Sequence, residues 1–417
     1  MGIIIQIMIQ MMKIENYILE ECLGKGSFGE VYLTTLPNDP NKYATKLYDR
    51  AVIENTEAKK YLENEIKILR LLDHPNIIKI KDVKKSKKHF FVVMECCNGG
   101  EISKAVQKYK DKYGKPFSEE IVQHLMRQII GAFKYIHEKN IIHRDVKPDN
   151  ILLHYDNEED KKNLNIMKAK VKIIDFGFSC FLGPDGLRYT ILGSPLCMDP
   201  LILQKLTSRD NKVRQLGYNQ SADIWSIGTV CYEMLIGRPA FDAENMLDLV
   251  NKVEDGSYKI PTTMSYEMVS FLNGMLQYSA KQRLTASQLY RHDFLNKDVK
   301  QFKTINLEAI SDKVSSGMID VNAVHNTTIW SIFNKNSETL LNTILGAAFV
   351  KPIDENEKQK LKKLEPNTLL RLPTNGIPEN PVGNKVTGMS KEELEKIEEE
   401  TEVKESNYVF SAKIFDS

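Results

Sequence analysis

The chain has 417 residues, 42% of them hydrophobic and 27% charged, and its 57 basic and 56 acidic side chains leave a net charge of +1. That length allows two or three domains with a sizeable core. The charge balance excludes a nucleic-acid binder working through bulk positive charge, and equally a disordered acidic chain.

The opening run Met1–Ile9 is apolar but too short to span a bilayer, and it lacks the flanks of a signal peptide. Gln6 breaks the myristoylation pattern that Gly2 would begin. Residues 1–16 are therefore expected to be an extension ahead of the first domain, with no stable membrane insertion.

From Tyr17 to about Phe90, β-patterned runs at Ile18–Cys22, Glu30–Thr35, Tyr43–Tyr48 and Ile77–Val83 enclose one predicted helix, with Leu62, Ile66 and Leu69 at helical spacing. His74-Pro75-Asn76 ends that helix. Phe90–Met94 reads as a further strand, broken by Asn98-Gly99-Gly100. Lys84-Lys85-Ser86-Lys87-Lys88 reads as a solvated turn between strands. The pattern then turns helical: Ser118 is a predicted N-cap for a stripe of Ile121, Leu125, Ile129, Phe133 and Ile136, and Ile224–Leu235 is apolar enough for a buried helix.

Tyr155–Asn165 reads as an exposed loop before a strand at Val171–Ile174. After about Leu295 the character changes. Pro366, Pro373, Gly376, Pro378, Pro381 and Gly383 mark a linker, and Ser390-x-x-Glu393 resembles a capping box opening a short charged helix. The runs Ile329–Phe333 and Leu340–Leu345 are apolar enough to pack on something. A role of this tail in docking partners or covering a site is one expectation.

The six cysteines, Cys22, Cys96, Cys97, Cys180, Cys197 and Cys231, make no C-x-x-C pair, in a chain far longer than disulfide-stapled modules. Reduced thiols in the cytoplasm, or in the nucleus, are expected.

Three motifs carry chemistry. Gly24-x-Gly26-x-x-Gly29 is a weak signal alone, because such triplets also open dinucleotide sites. The run after the third glycine, Glu30-Val31-Tyr32-Leu33-Thr34-Thr35, is strand chemistry, so the glycines join two strands as a flap whose N–H groups can close over phosphates. Lys46 lies in the next β-run, and Glu65 beside the helical stripe could keep a buried ammonium charged.

His143-Arg144-Asp145-Val146-Lys147-Pro148-Asp149-Asn150 is the strongest string. Phosphoryl transfer to a hydroxyl needs a carboxylate to take or orient the proton, a cation to steady the phosphoryl group and oxygen ligands for magnesium. Asp145, Lys147 and Asn150 supply these groups, and Asp175-Phe176-Gly177 adds a second metal carboxylate.

In this order the motifs resemble the eukaryotic protein kinase family over about residues 17–295. The resemblance implies an α+β bilobal fold, with a β-rich N-lobe at about 17–95, a helical C-lobe at about 98–295 and a C-terminal extension over 296–417. It implies ATP and Mg²⁺, with the loop Leu23-Gly24-Lys25-Gly26-Ser27-Phe28-Gly29 over the phosphates, and Val31, Ala44 and Leu152 around adenine. Met94 matches the gatekeeper, Glu95 and Cys97 the hinge, and Glu101 a ribose or substrate contact. Lys46 would pair with Glu65 and hold the α/β-phosphates. Asp145 would be the catalytic base and Lys147 its phosphate-steadying neighbour, with Asn150 and Asp175 as metal ligands. Asp223 of Asp223-Ile224-Trp225-Ser226-Ile227-Gly228 would brace the catalytic loop.

Lys147 and Gly193-Ser194-Pro195 look like the serine/threonine branch, implying a protein substrate with a serine or threonine acceptor. Arg144 suggests control by an activation-segment phosphate placed by an upstream kinase, with Thr190 the foremost position and Tyr189 and Ser179 secondary. Cys96-Cys97-Asn98-Gly99-Gly100-Glu101, Asp175-Phe176-Gly177-Phe178 and Gly193-Ser194-Pro195-Leu196 are together similar to the autophagy-initiating ULK-type kinases.

One departure stands out. The family's Ala-Pro-Glu is here Asp199-Pro200-Leu201, and its glutamate normally pairs with the buried arginine that Arg283 matches. Losing one partner of such a pair costs about 3–5 kcal/mol unless another carboxylate replaces it, and Asp199 is two positions off. Cys197 stands where tyrosine is usual. The altered Asp199-Pro200-Leu201 segment supports the rival expectation, a pseudokinase scaffold that binds nucleotide and partners without turnover. The stretches between Asn150 and Asp175 and between Leu201 and Asp223 are each roughly ten residues longer than usual, as surface loops tolerate.

Overall fold

A computed structural model describes residues 12–302, except 27–28, 55–57, 183–186, 189, 191–192, 257, 259 and 262–263. The chain divides into two units, 1–345 and 346–417, and every described residue lies in the first. Ser27, Phe28, Tyr189, the linker, the charged helix and the apolar runs of the tail lie outside the described residues.

The N-lobe is a six-stranded antiparallel sheet. Its strands β1 (Met12–Ile14), β2 (Tyr17–Gly26), β3 (Gly29–Leu36), β4 (Asp39–Asp49), β5 (Ile80–Lys85) and β6 (His89–Glu95) run in the order β1-β2-β3-β4-β6-β5. β1 belongs to the stretch expected to be an extension. Glu15, at φ 53°, turns it back onto β2, and Ile14 is buried with Tyr17 and Leu19.

The strand expected at Ile77–Val83 begins only at Ile80. Ile77 instead makes an isolated bridge to Ile173 in the C-lobe, and both Ile77 and Ile78 enter the main core. Burial against a second lobe gave them the apolar signature of a strand.

The period-2 alternation of β4 positions the chemistry. Tyr43 and Leu47 join Phe91 and Val93 in one apolar cluster, while Tyr48, on the other face, packs with Leu62 of helix α1 (Ala58–Leu71). Ala44 and Lys46 share Tyr48's face. Within α1, Glu65 and Ile68 are buried with Leu62 and Leu69, whereas Ile66 is only partly covered.

In the C-lobe, α2 (Ile102–Tyr113) ends at left-handed Gly114. Helix α3 (Glu119–Glu138) starts at Ser118, whose side chain accepts from the Ile121 N–H, and its predicted stripe is buried. Two short strands, β7 (Gly100–Glu101) and β8 (Ile141–Ile142), lie in separate small sheets and precede β9 (Ile151–His154), which pairs with both β7 and β10 (Lys170–Ile173). β11 (Cys180–Phe181) pairs with β8.

The segment expected to be a loop contains helix α4 (Glu158–Asn163), capped by Asn157 through the Asp160 N–H. Glu158, Glu159 and Asp160 occupy its first turn, where carboxylates favour the helix dipole. A helix this polar shows no apolar period to detect.

Helix α5 (Pro200–Thr207) follows the activation segment, and α6 (Ser221–Ile236) runs through the core with Trp225, Tyr232 and Val230 buried. Helices α7 (Met246–Glu254) and α8 (Tyr266–Met275) complete the described bundle with shorter pieces to Asn296. Among the described residues no helix is long and apolar enough to cross a membrane.

Candidate active site

The glycine flap is a β2–β3 hairpin in which Gly24 opposes Val31, Lys25 opposes Glu30 and Gly26 opposes Gly29. At Gly29 a Cβ would lie 2.0 Å from the Leu47 carbonyl oxygen, so this close approach of backbones admits no side chain. Leu23 is exposed, and Lys25 pairs with Glu30 at 2.6 Å.

Cross-strand register gathers the expected adenine contacts on one face: Val31 opposes Lys46, and Ala44 opposes Met94. Met94 and Cys97 pack, half-buried, against the C-lobe core, and burial pushes the Cys97 thiol up to about 12. Leu152, in β9, opposes Glu101 of β7, which itself pairs with Lys104 at 2.9 Å. The Glu95 side chain turns to Lys172 of β10, 2.7 Å away, and accepts the Lys79 N–H at 2.8 Å.

Lys46 Nζ is 3.6 Å from Glu65 Oε2 and 3.8 Å from Asp175 Oδ1. Tyr48 donates to the same Glu65 oxygen at 2.9 Å. Burial works against the Lys46 charge, but Glu65, Tyr48 and Asp175 more than offset it and hold the ammonium well above the usual lysine range. Burial likewise opposes the Asp175 carboxylate, while Lys46, His143 and Lys147 pull its pKa below the ordinary value. Asp175 adopts φ 62° and Arg144 φ 70°, strained values for residues with a Cβ that persist where the surroundings over-determine them.

Both oxygens of Asp145 are held. Ser194 donates to Oδ1 at 2.8 Å, Asn150 Nδ2 donates to Oδ2 at 2.9 Å, and Lys147 Nζ is 3.2 Å from Oδ2. Burial works against the Lys147 ammonium, but Asp145 raises its pKa overall. Because Asn150 also donates to the Asp145 carbonyl at 2.8 Å, its amide oxygen points elsewhere. That oxygen and the Asp175 carboxylate are both hard donors, of the kind that suits Mg²⁺.

The loop is anchored from below. Asp223 accepts the backbone N–H groups of His143 and Arg144, each at 2.9 Å, and lies 2.9 Å from His137 Nε2. Burial opposes its charge, yet the His137 contact leads the interactions that lower its pKa. Arg144 donates to Thr190 Oγ1 at 2.6 Å and to the Phe178 carbonyl.

Residues 17–295 match the model of the protein kinase domain. The chain belongs to the protein kinase family. The chain is 33% identical over 293 residues to a serine/threonine-protein kinase atg1 of Dictyostelium discoideum, covering 69% of this chain and 40% of that protein. Two ATG1 kinases are 31% identical (Kluyveromyces marxianus) and 30% identical (Kluyveromyces lactis) over 321 residues, covering 69% of this chain and 37% of each relative. The chain thus spans about two fifths of the length of the curated relatives it matches. ATP and Mg²⁺ usage is typical of this family, and the likeness to the ULK-type group rests on these relatives.

Sequence reasoning missed two positions beside the expected ones. Ser194 marked only the branch, yet its hydroxyl holds Asp145. Tyr48 carried no signal, because a tyrosine in a strand is ordinary. The partner of Arg283, open in the sequence, is Asp199, and both side chains are buried. The other Asp199 oxygen, Oδ1, caps α5 by accepting from Leu201 at 2.8 Å and Ile202 at 3.3 Å. The carboxylate two positions early reaches Arg283 from that N-cap.

Proposed function

We propose that this kinase transfers the γ-phosphoryl group of ATP to a serine or threonine hydroxyl of a protein, using Mg²⁺, through a domain spanning about residues 17–295 with an extension over 296–417. The observation that carries this reading is the approach of Lys46, on the N-lobe sheet, to Asp175, in the C-lobe, at 3.8 Å.

Lys46, fixed by Glu65, orients the α/β-phosphates under the glycine flap. Asn150 and Asp175 would hold Mg²⁺, which would supply charge neutralisation on the phosphates. Asp145 accepts the acceptor-hydroxyl proton. Its oxygens are oriented by Ser194 and Asn150 and retain lone pairs for a further hydrogen bond. Lys147 steadies the charge of the moving phosphoryl group. Phosphate on Thr190, placed by an upstream kinase, would sit against Arg144 and draw its guanidinium into a charge-assisted pair.

The scaffold alternative drew its support from the altered Asp199-Pro200-Leu201 segment, and the Asp199–Arg283 pair removes that support. A cytoplasmic setting belongs to the same proposal. The test is incubation of the purified chain with Mg²⁺, γ-labelled ATP and a generic protein, and then phosphoamino-acid analysis. Label on serine and threonine is the expected result; intact nucleotide binding with no label, or label on tyrosine alone, would overturn it.

A further inference from the structure

A cavity of about 810 Å³ lies between α2 and α4, beginning at Asn98 and Gly99, just past the hinge. One wall is α2, presenting Lys108 and Lys112 with Ala105 beneath them. The other is α4, inside the long stretch between Asn150 and Asp175, and it presents Lys161 and Lys162. The far end is closed by Lys112 Nζ, which donates to the Asn163 carbonyl at 3.1 Å. The walls are thus tied together, which makes the groove pre-formed.

Two features ask for a ligand. The first is charge: four lysines face two carboxylates, and those two are engaged, Glu158 with Lys161 at 3.0 Å and Asp111 with Gln107 at 2.7 Å. Lys108 and Lys162 pair with no carboxylate among the described residues. The second is Tyr155, which lines the cavity, is 3% exposed, and has a buried hydroxyl with no hydrogen-bond partner. An orphaned buried hydroxyl is a cost that a bound acceptor would relieve.

We infer that this groove docks an acidic segment of a partner protein. The ammonium groups are spread along two helices rather than converging on one point. Lys108 and Lys112 alone are about 6 Å apart along the helix axis at 1.5 Å per residue. Ala105 and Leu164 supply apolar lining between the rows. That layout suits carboxylates spaced along a peptide with an apolar residue among them, and does not suit one compact phosphate. The site does not depend on phosphotransfer.

The probe is a fluorescein-labelled octapeptide of glutamates interrupted by two leucines, titrated by anisotropy with the full chain at low salt. Wild-type binding should saturate. The double variant Lys108→Glu/Lys162→Glu, at exposed positions, should bind about tenfold or more weakly. Tyr155→Phe should weaken binding by about threefold at an unchanged unfolding midpoint. Reversing two lysines elsewhere, Lys134→Glu/Lys281→Glu, should change it little. Equal losses in both double variants would mean bulk electrostatics and overturn the site. Displacement by ATP would place the peptide in the nucleotide cleft and also overturn it. Displacement by low micromolar pyrophosphate would replace the peptide assignment with a small-anion one.

Discussion

Asp199 and Arg283 are 84 residues apart in sequence and meet as a buried ion pair, with side chains 3% and 1% exposed. Arg283 also donates to the Ser221 carbonyl at 2.9 Å and the Gln277 carbonyl at 2.7 Å, and lies over the Trp225 ring. One guanidinium therefore ties the end of the activation segment to the start of α6.

Removing Asp199 leaves that guanidinium buried and unpaired, and also strips the cap from α5. Asp199→Ala should destabilise the domain by about 3–5 kcal/mol in urea denaturation. Leu201→Glu in that background places a carboxylate at the family's usual position, and should recover part of the loss. No recovery would mean that the cap outweighs the pair.

The Lys46–Glu65 pair serves catalysis and packing together. Lys46→Met should lower kcat by about 100-fold or more, and by leaving the buried Glu65 carboxylate without its cation it should also lower the unfolding midpoint. Glu65→Gln should fall between the two in steady-state assays.

Glu95 bonds to Lys172 and to the backbone of Lys79, so the hinge is stapled to both sides. Lys172→Met leaves the Glu95 carboxylate half-buried without its cation. The expected outcome is a rise of about 3–10-fold in the KM for ATP, with a smaller change in kcat. A kcat loss at constant KM would contradict the positional role.

Glu233 sets a pH dependence. Burial, with Asp149 nearby, raises its pKa from 4.5 to about 7. The folded state then binds this proton more tightly than the unfolded chain does. Its contribution is favourable below about pH 4.5 and is lost as pH rises toward about 7. Glu233→Gln should therefore remove part of the fall in thermal midpoint between about pH 5 and pH 8. Parallel curves for the two proteins would contradict this.

Most of the site was legible because its chemistry is packed into short strings. Asp145, Lys147 and Asn150 share one loop, and the strand after Gly29 separated a phosphate flap from a dinucleotide turn. The Lys46 position is a consequence of strand alternation, which puts it on the α1 face with Tyr48. What escaped was set by tertiary contact. Ile77 looked like strand because it is buried between lobes, α4 looked like loop because it has no apolar face, and Met12–Ile14 is tied down by pairing with β2. Asp199 was ambiguous in sequence for a geometric reason: only the chain direction at the α5 N-cap brings its carboxylate to Arg283.

Single-turnover transfer from γ-labelled ATP by the Asp145→Asn variant, alongside nucleotide binding, probes the converging cleft most directly. Transfer should drop by about a thousandfold or more while ATP affinity stays within a few-fold of wild type, since Asp145 acts on the hydroxyl and not on the nucleotide. Wild-type transfer in that variant would contradict the role given to Asp145 and the cleft built around it.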